Sequence, residues 1–113
     1  MNASINMNSF QSKIAALRER YAEQTSEKID FIVSTWSRYC ETPNRDDFEV
    51  LLMEVHRISG TAKTYGFPRL GEMACDLEKL LIDEGVANPS AKALSIIDQL
   101  KDYSADEDEG FEA

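Results

Sequence analysis

The sequence predicts an all-α protein, an up-down antiparallel four-helix bundle with an additional N-terminal helix. Apolar residues recur at three- and four-residue spacing along most of the 113 residues, and no segment shows the period-two alternation of a half-buried strand. Pro43, Pro68 and Pro89 lie between the periodic segments. Because helices joined by short connections pack antiparallel, a bundle is the economical arrangement for one domain of this length.

The N-terminal part of the chain predicts two helices separated by a break. The apolar stripe of the first helix consists of Phe10, Ile14, Leu17 and Tyr21. Polar residues then interrupt the spacing, so we expect a bend or break near Gln24 to Ser26 and a second helix that runs to about Cys40. The stripe of this second helix consists of Ile29, Ile32, Val33, Trp36 and Cys40.

The third helix has signals at both of its ends. Asn44 is an N-cap candidate, and Asp46 and Asp47 follow in the first turn, where the helix dipole favours anions. Gly66 is suited to a left-handed C-terminal cap, so we expect the helix to end there. Its apolar stripe consists of Phe48, Leu51, Leu52, Val55, Ile58 and Ala62.

Two further helices complete the predicted bundle. Pro68 opens the fourth helix at a first-turn position, and Gly85 stops it. Its stripe consists of Leu70, Met73, Ala74, Leu77, Leu80 and Leu81. Pro89 opens the fifth helix, whose stripe consists of Ala93, Ile96, Ile97 and Leu100.

The composition disfavours nucleic acid and membranes as partners. Twenty-one acidic and twelve basic residues give a formal charge of −9, which repels a phosphate backbone. No apolar run approaches the roughly 20 residues of a membrane helix, and the N-terminus lacks the features of a secretory signal. We therefore expect a cytoplasmic protein. The protein is also expected to be a monomer. Cys40 and Cys75 are interpreted as reduced thiols, with one bridge between them as the open alternative.

The predicted domain boundary lies at the start of an acidic tail. Residues 1–104 form the helical bundle, and residues 105–113, ADEDEGFEA, are expected to be a disordered tail, because like charges repel and only Phe111 offers a bulky apolar group. The alternative for this tail is an acidic docking peptide.

The only histidine of the chain, His56, is predicted to face solvent from the third helix. A residue turns about 100° around a helix axis, which places the apolar stripe roughly 80° to 160° to one side of the imidazole. Gly60 and Lys63 fall on the histidine's face, and Ser59 falls between that face and the core. A glycine one turn away leaves room beside the ring for a bulky group or a partner surface. The alternatives are an ordinary surface histidine and a glycine that permits close helix packing.

These residues resemble the histidine phosphotransfer (HPt) domain family, whose motif is H-x-x-K-G-x-A-x-x-x-G with a leucine-rich, glutamate-containing continuation. The matching residues are His56, Gly60, Ala62 and Gly66, and the segment FPRLGEMACDLEKL, 67–80, is similar to the continuation. Ser59 stands where many members have lysine. Some members with an arginine directly after the histidine, as Arg57 is here, also lack that lysine.

The resemblance implies a phosphoryl carrier, not an enzyme, in a multistep two-component relay. His56 Nε2 would take a phosphoryl group from the aspartate of one response-regulator receiver domain, free or within a hybrid kinase, and pass it to another. Glu78 would accept a hydrogen bond from Nδ1, its alternative being a solvated carboxylate. The residues implied around the phosphoryl group or the partner are Arg57, Ser59, Gly60 and Lys63, of which Lys63 is the candidate for offsetting phosphate charge.

No cofactor or metal site of its own is expected for this chain. It contains neither the GxxxxGK[ST] phosphate loop nor a metal-ligand spacing, so the resemblance assigns Mg²⁺ to the partner receiver domain. The competing interpretation is a phosphorylation-independent helical module that binds a receiver or another regulator, and Ser59 in place of lysine favours it.

Overall fold

The computed structural model describes residues 2–108, with side chains from residue 9 onward. In this part of the chain there are four α-helices and one short 3₁₀ helix. The α-helices are α1 (Asn2–Glu41), α2 (Arg45–Thr61), α3 (Pro68–Glu84) and α4 (Ala91–Lys101), and the 3₁₀ helix is Ala105–Glu107. None of the described helices combines the length and the apolarity that a membrane crossing demands.

The α-helices form a closed bundle, which confirms the predicted all-α fold class. Helix α1 packs against α2 and α4, and α3 packs against the same two helices from the other side. The apolar stripes meet in the centre, where burial of side chains supplies the main driving force for folding. The most deeply buried side chains, each no more than 2% exposed, include Ile32, Leu51, Val55, Ile58, Leu70, Leu77, Ile97 and Leu100.

Helix α1 is continuous, so the predicted break near Gln24 to Ser26 is wrong. Thr25 is only 4% exposed, and its hydroxyl donates a hydrogen bond to the Ala22 carbonyl at 2.8 Å. The hydroxyl is thereby satisfied within the helix, and the buried stripe continues from Tyr21 through Thr25 to Ile29. The segment expected as an additional N-terminal helix is therefore the first half of α1.

The first half of α1 extends beyond the bundle. At 1.5 Å per residue, this helix of 40 residues is about 60 Å long, whereas α2 and α3 are each about 25 Å long. Phe10, Ile14 and Leu17 lie on the extension and are 60%, 41% and 44% exposed. Cys40, at the other end, is also exposed, and Tyr39 occupies the buried position instead.

The predicted start of α2 is confirmed, but its end is not. Asn44 is the N-cap, and its side-chain oxygen accepts a hydrogen bond from the Asp47 amide at 2.8 Å. The helix ends at Thr61, five residues before Gly66. Gly66 has a φ of +88°, the left-handed conformation expected of it, and it reverses the chain after the turns that follow α2.

Helix α3 has the predicted ends, and α4 begins slightly later than predicted. Pro68 is the first residue of α3, and Gly85, with a φ of +65°, caps its C-terminus. Helix α4 begins at Ala91, because the Ser90 side chain is the N-cap and accepts a hydrogen bond from the Ala93 amide at 3.1 Å. Pro89 therefore precedes the helix rather than opening it.

The first four residues of the predicted acidic tail, residues 105–108, contact the bundle. Ala105–Glu107 form the 3₁₀ helix, and the Asp108 side chain is buried at 3% exposure. Its carboxylate accepts hydrogen bonds from the amides of Arg69 and Leu70, at 3.2 and 3.1 Å, and from the Tyr103 hydroxyl at 2.8 Å. Asp108 thus caps the N-terminus of α3, where Phe67 provides no side-chain cap. Residues 109–113 of the predicted tail lie outside the described residues.

Candidate functional site

The imidazole of His56 projects into solvent from the middle of α2. Its side chain is 71% exposed, as the helical spacing predicted. Val55 and Ile58, on the opposite side of the helix, are buried in the core and fix the rotation of α2 about its axis. Nε2 makes no hydrogen bond to any residue that the structure describes. This nitrogen is therefore open to an incoming group.

The other ring nitrogen of His56 is held by Glu78 on α3. Nδ1 is hydrogen-bonded to the Oε2 oxygen of this carboxylate, whose side chain is 17% exposed. Burial raises the pKa of Glu78, but the hydrogen bonds from His56 and Ser59 and the charge of a protonated imidazole outweigh it and leave the pKa below its usual value. Because an ionised carboxylate can only accept, Nδ1 carries the proton, and the lone pair of the neutral ring is on Nε2.

Ser59 contacts the same carboxylate from one turn further along α2. Its hydroxyl donates a hydrogen bond to Glu78 Oε1 at 2.9 Å. The backbone carbonyl of His56 lies 3.2 Å from the same hydroxyl. Sequence reasoning placed Ser59 between the histidine's face and the core, and the structure shows what fills that place: a carboxylate from the neighbouring helix.

Gly60 leaves open space beside the ring. A Cβ atom built on this residue would meet no described atom within 4 Å. The alternative that Gly60 permits close helix packing therefore has no support in the described part of the chain. Its cost in helix stability, about 1 kcal/mol relative to alanine, is left without a compensating contact.

The close packing occurs instead at Gly71, a residue that the sequence analysis did not single out. A Cβ atom on Gly71 would lie 2.6 Å from Cγ of Lys63, so the aliphatic part of Lys63 crosses α3 where a side chain is missing. Lys63 follows His56 by seven residues and Gly71 precedes Glu78 by seven, so the turn after α2 still runs antiparallel to the start of α3. The sequence could have indicated this contact, because Gly71 is a glycine within a predicted helix.

Arg57 and Lys63 are not assembled around the imidazole. The Arg57 guanidinium donates to the Glu54 carboxylate at 2.9 Å, one turn back on α2. Lys63 lies beyond the end of α2, so the helical projection that placed it on the histidine's face does not apply. Both side chains are exposed, and neither bonds to His56 within the described residues.

Two exposed apolar residues lie one helical turn from His56 and from Glu78, and they were not predicted. Met53, one turn before His56, is 52% exposed, and Ile82, one turn after Glu78, is 59% exposed. Because α2 and α3 are antiparallel, these side chains belong to the same end of the site. The sequence could have indicated both residues, because each is an apolar residue that lies outside the core stripe of its helix.

The described residues contain no group of three or more histidine, cysteine or acidic side chains that could hold a metal ion.

The fold and the site together define a helical bundle that presents one exposed imidazole, held by a carboxylate of the adjacent helix. The family model described as Hpt domain matches residues 11–107, and the chain belongs to this family. Hpt domains serve histidine phosphotransfer in phosphorelays, where they interact with receiver domains as phosphocarrier modules rather than enzymes. Searches of curated proteins and of solved structures found no significant match to this chain.

Proposed function

We propose that His56 is the phosphoacceptor of this chain and carries a phosphoryl group between receiver-domain aspartates of a two-component relay. The observation that carries the proposal is the hydrogen bond between Nδ1 and Glu78, in a family that serves phosphotransfer. It leaves the Nε2 lone pair directed into solvent. An imidazole with a pKa near 6.5 in its free state is a competent nucleophile at neutral pH.

The transfer is a displacement at phosphorus. The Nε2 lone pair attacks the aspartyl phosphate of the donor receiver, the N–P bond forms, and the P–O bond to the aspartate breaks, which releases its carboxylate. The phosphorylated ring keeps its Nδ1 proton, and its positive charge lies next to the anionic Glu78. In the second transfer the aspartate of another receiver attacks the same phosphorus, and the N–P bond breaks.

The receiver supplies the remaining catalytic groups in this proposal. Phosphoryl transfer depends mainly on alignment and on neutralisation of charge, and Mg²⁺ bound by the receiver would provide the latter. Met53 and Ile82 offer apolar contacts beside the ring, and Gly60 lets the receiver surface approach it. Chelation of Mg²⁺ should therefore stop transfer without changing the fold of this chain.

The test is phosphate uptake from a labelled receiver. Wild-type protein should gain an acid-labile, base-stable label, and His56→Gln should gain none while keeping its helical circular dichroism spectrum. Labelling of the variant at the wild-type level would reject His56 as the acceptor. Screening the receivers of the same genome would identify the partners.

A phosphorylation-independent binding module is the second candidate. Ser59 favours it, because a lysine usual in the family is missing from the site. Under this alternative a receiver would bind wild-type protein and His56→Gln with equal affinity, and neither would become labelled. Labelling together with binding supports the carrier.

A further inference from the structure

We propose that Ser59 is a positioning residue: it holds the Glu78 carboxylate in the orientation that keeps the proton on Nδ1 of His56 and the lone pair on Nε2. The inference deepens the proposed function and rests on it for its consequence. The hydrogen-bonding arrangement itself can be tested on the unphosphorylated chain.

The Glu78 carboxylate is held at two points by two side chains of α2. Oε2 faces Nδ1 of His56, and Oε1 accepts from the Ser59 hydroxyl at 2.9 Å. His56 and Ser59 are three residues apart, so they are neighbours on one side of the helix. One bond alone would leave the carboxylate free to rotate, whereas two bonds to different oxygens define its plane.

The Ser59 hydroxyl has only one proton to donate, and two acceptors lie near it. The Glu78 oxygen is at 2.9 Å and the His56 carbonyl at 3.2 Å. A charged acceptor at the shorter distance gives the stronger bond. The hydroxyl proton is thus engaged by Glu78 and is unavailable to a phosphoryl group, so Ser59 acts through the carboxylate and not by direct contact.

The partial burial of Glu78 makes a second donor useful. With its side chain 17% exposed, Glu78 is partly withdrawn from water, which by itself favours the neutral form. A protonated Glu78 could donate to Nδ1, which would move the ring proton to Nε2 and remove the nucleophile. Two donors favour the ionised carboxylate, and this is consistent with a Glu78 pKa that lies below its usual value.

The experiment measures the tautomer of the neutral imidazole. In ¹⁵N-labelled protein at about pH 8, where a free imidazole is neutral, the two ring nitrogens report the ratio of Nδ1–H to Nε2–H. Wild-type protein should show mainly Nδ1–H. Ser59→Ala should lower the ratio about fivefold, the size of one hydrogen bond. Ser59→Thr, which keeps the hydroxyl, should restore it.

The control is Thr64→Ala, which removes an exposed hydroxyl that makes no bond to the ring or to Glu78. It should leave the ratio unchanged. A folded Ser59→Ala protein with the wild-type ratio would overturn the proposal. If wild-type protein shows the Nδ1–H tautomer but takes up no phosphate from any receiver, the proposed function fails while the role of Ser59 stands.

Discussion

Gly60, in the last turn of α2, and Gly71, in the first turn of α3, should respond to the same substitution with opposite signs. Gly60→Ala places a methyl group in open space, so the expected effect is the gain in helix propensity, about 0.5 to 1 kcal/mol. Gly71→Ala places its methyl 2.6 Å from Cγ and 3.2 Å from Cε of Lys63. Overpacking costs about 1 to 3 kcal/mol, which exceeds the gain in propensity, so we expect a net loss of about 1 kcal/mol.

The assay is equilibrium unfolding in urea, with Lys63→Ala as the partner in a double-mutant cycle. Removing the Lys63 side chain frees the space above Gly71, so Gly71→Ala should become neutral or stabilising in that background. The expected coupling is about 1 to 2 kcal/mol. Gly60→Ala is the matched control and should add independently of Lys63.

Two outcomes would refute this reasoning. Equal stabilisation by both alanines would mean that the Lys63 stem does not pack on Gly71. Additive effects of Gly71→Ala and Lys63→Ala would mean the same.

A functional measurement complements the stability cycle. Gly60→Glu should slow phosphate uptake, because the added side chain occupies the space beside the ring through which a receiver would approach. The substitution creates no clash within the described chain, since a Cβ atom at Gly60 meets no atom within 4 Å.

Two further predictions concern carboxylates. Asp108→Ala should lower the free energy of unfolding by about 2 to 4 kcal/mol, because two amides and a hydroxyl lose a buried acceptor. Asp106→Ala, at an exposed neighbour, should change it by less than about 0.5 kcal/mol. Equal effects of the two substitutions in urea titrations would contradict the role of Asp108 as a cap. Glu78 has a lowered pKa in the folded state, so its contribution is present above the unfolded value of 4.5 and is lost as the pH falls through the folded value. The stability difference between wild type and Glu78→Gln should therefore shrink as the pH falls below 4.5 and through the folded value. A difference that stays constant, as expected for exposed Glu72→Gln, would argue against the bond.

Local signals predicted much of this fold because they act over a few residues. Asn44 caps α2 through a side chain three residues from its donor, and Pro68 and Gly85 mark the ends of α3 through their own backbone geometry. The exposure of His56 followed from rotation about one helix axis. Thr25 misled the prediction because its residue type is polar, yet its hydroxyl is satisfied inside the helix and its methyl group can be buried.

The features that sequence reasoning missed depend on contacts between distant segments. Asp108 lies 38 and 39 residues from the amides that it caps, and no local pattern connects them. The pairing of Gly71 with Lys63 likewise depends on how the turn after α2 packs against α3. Glu78 entered the prediction only through the family resemblance, and its second bond, from Ser59, required the structure.

The connection between α2 and α3, residues 62–67, helps to set the position of Glu78 relative to His56. Its six residues, together with the adjoining turns of the two helices, make up the interval of 22 positions between His56 and Glu78. One residue inserted within α3 before Glu78 would carry the Glu78 side chain about 100° around the helix axis and 1.5 Å along it, away from the ring. The arithmetic spacing of imidazole and carboxylate, rather than the letters between them, is therefore what a search for chains with the same arrangement should measure.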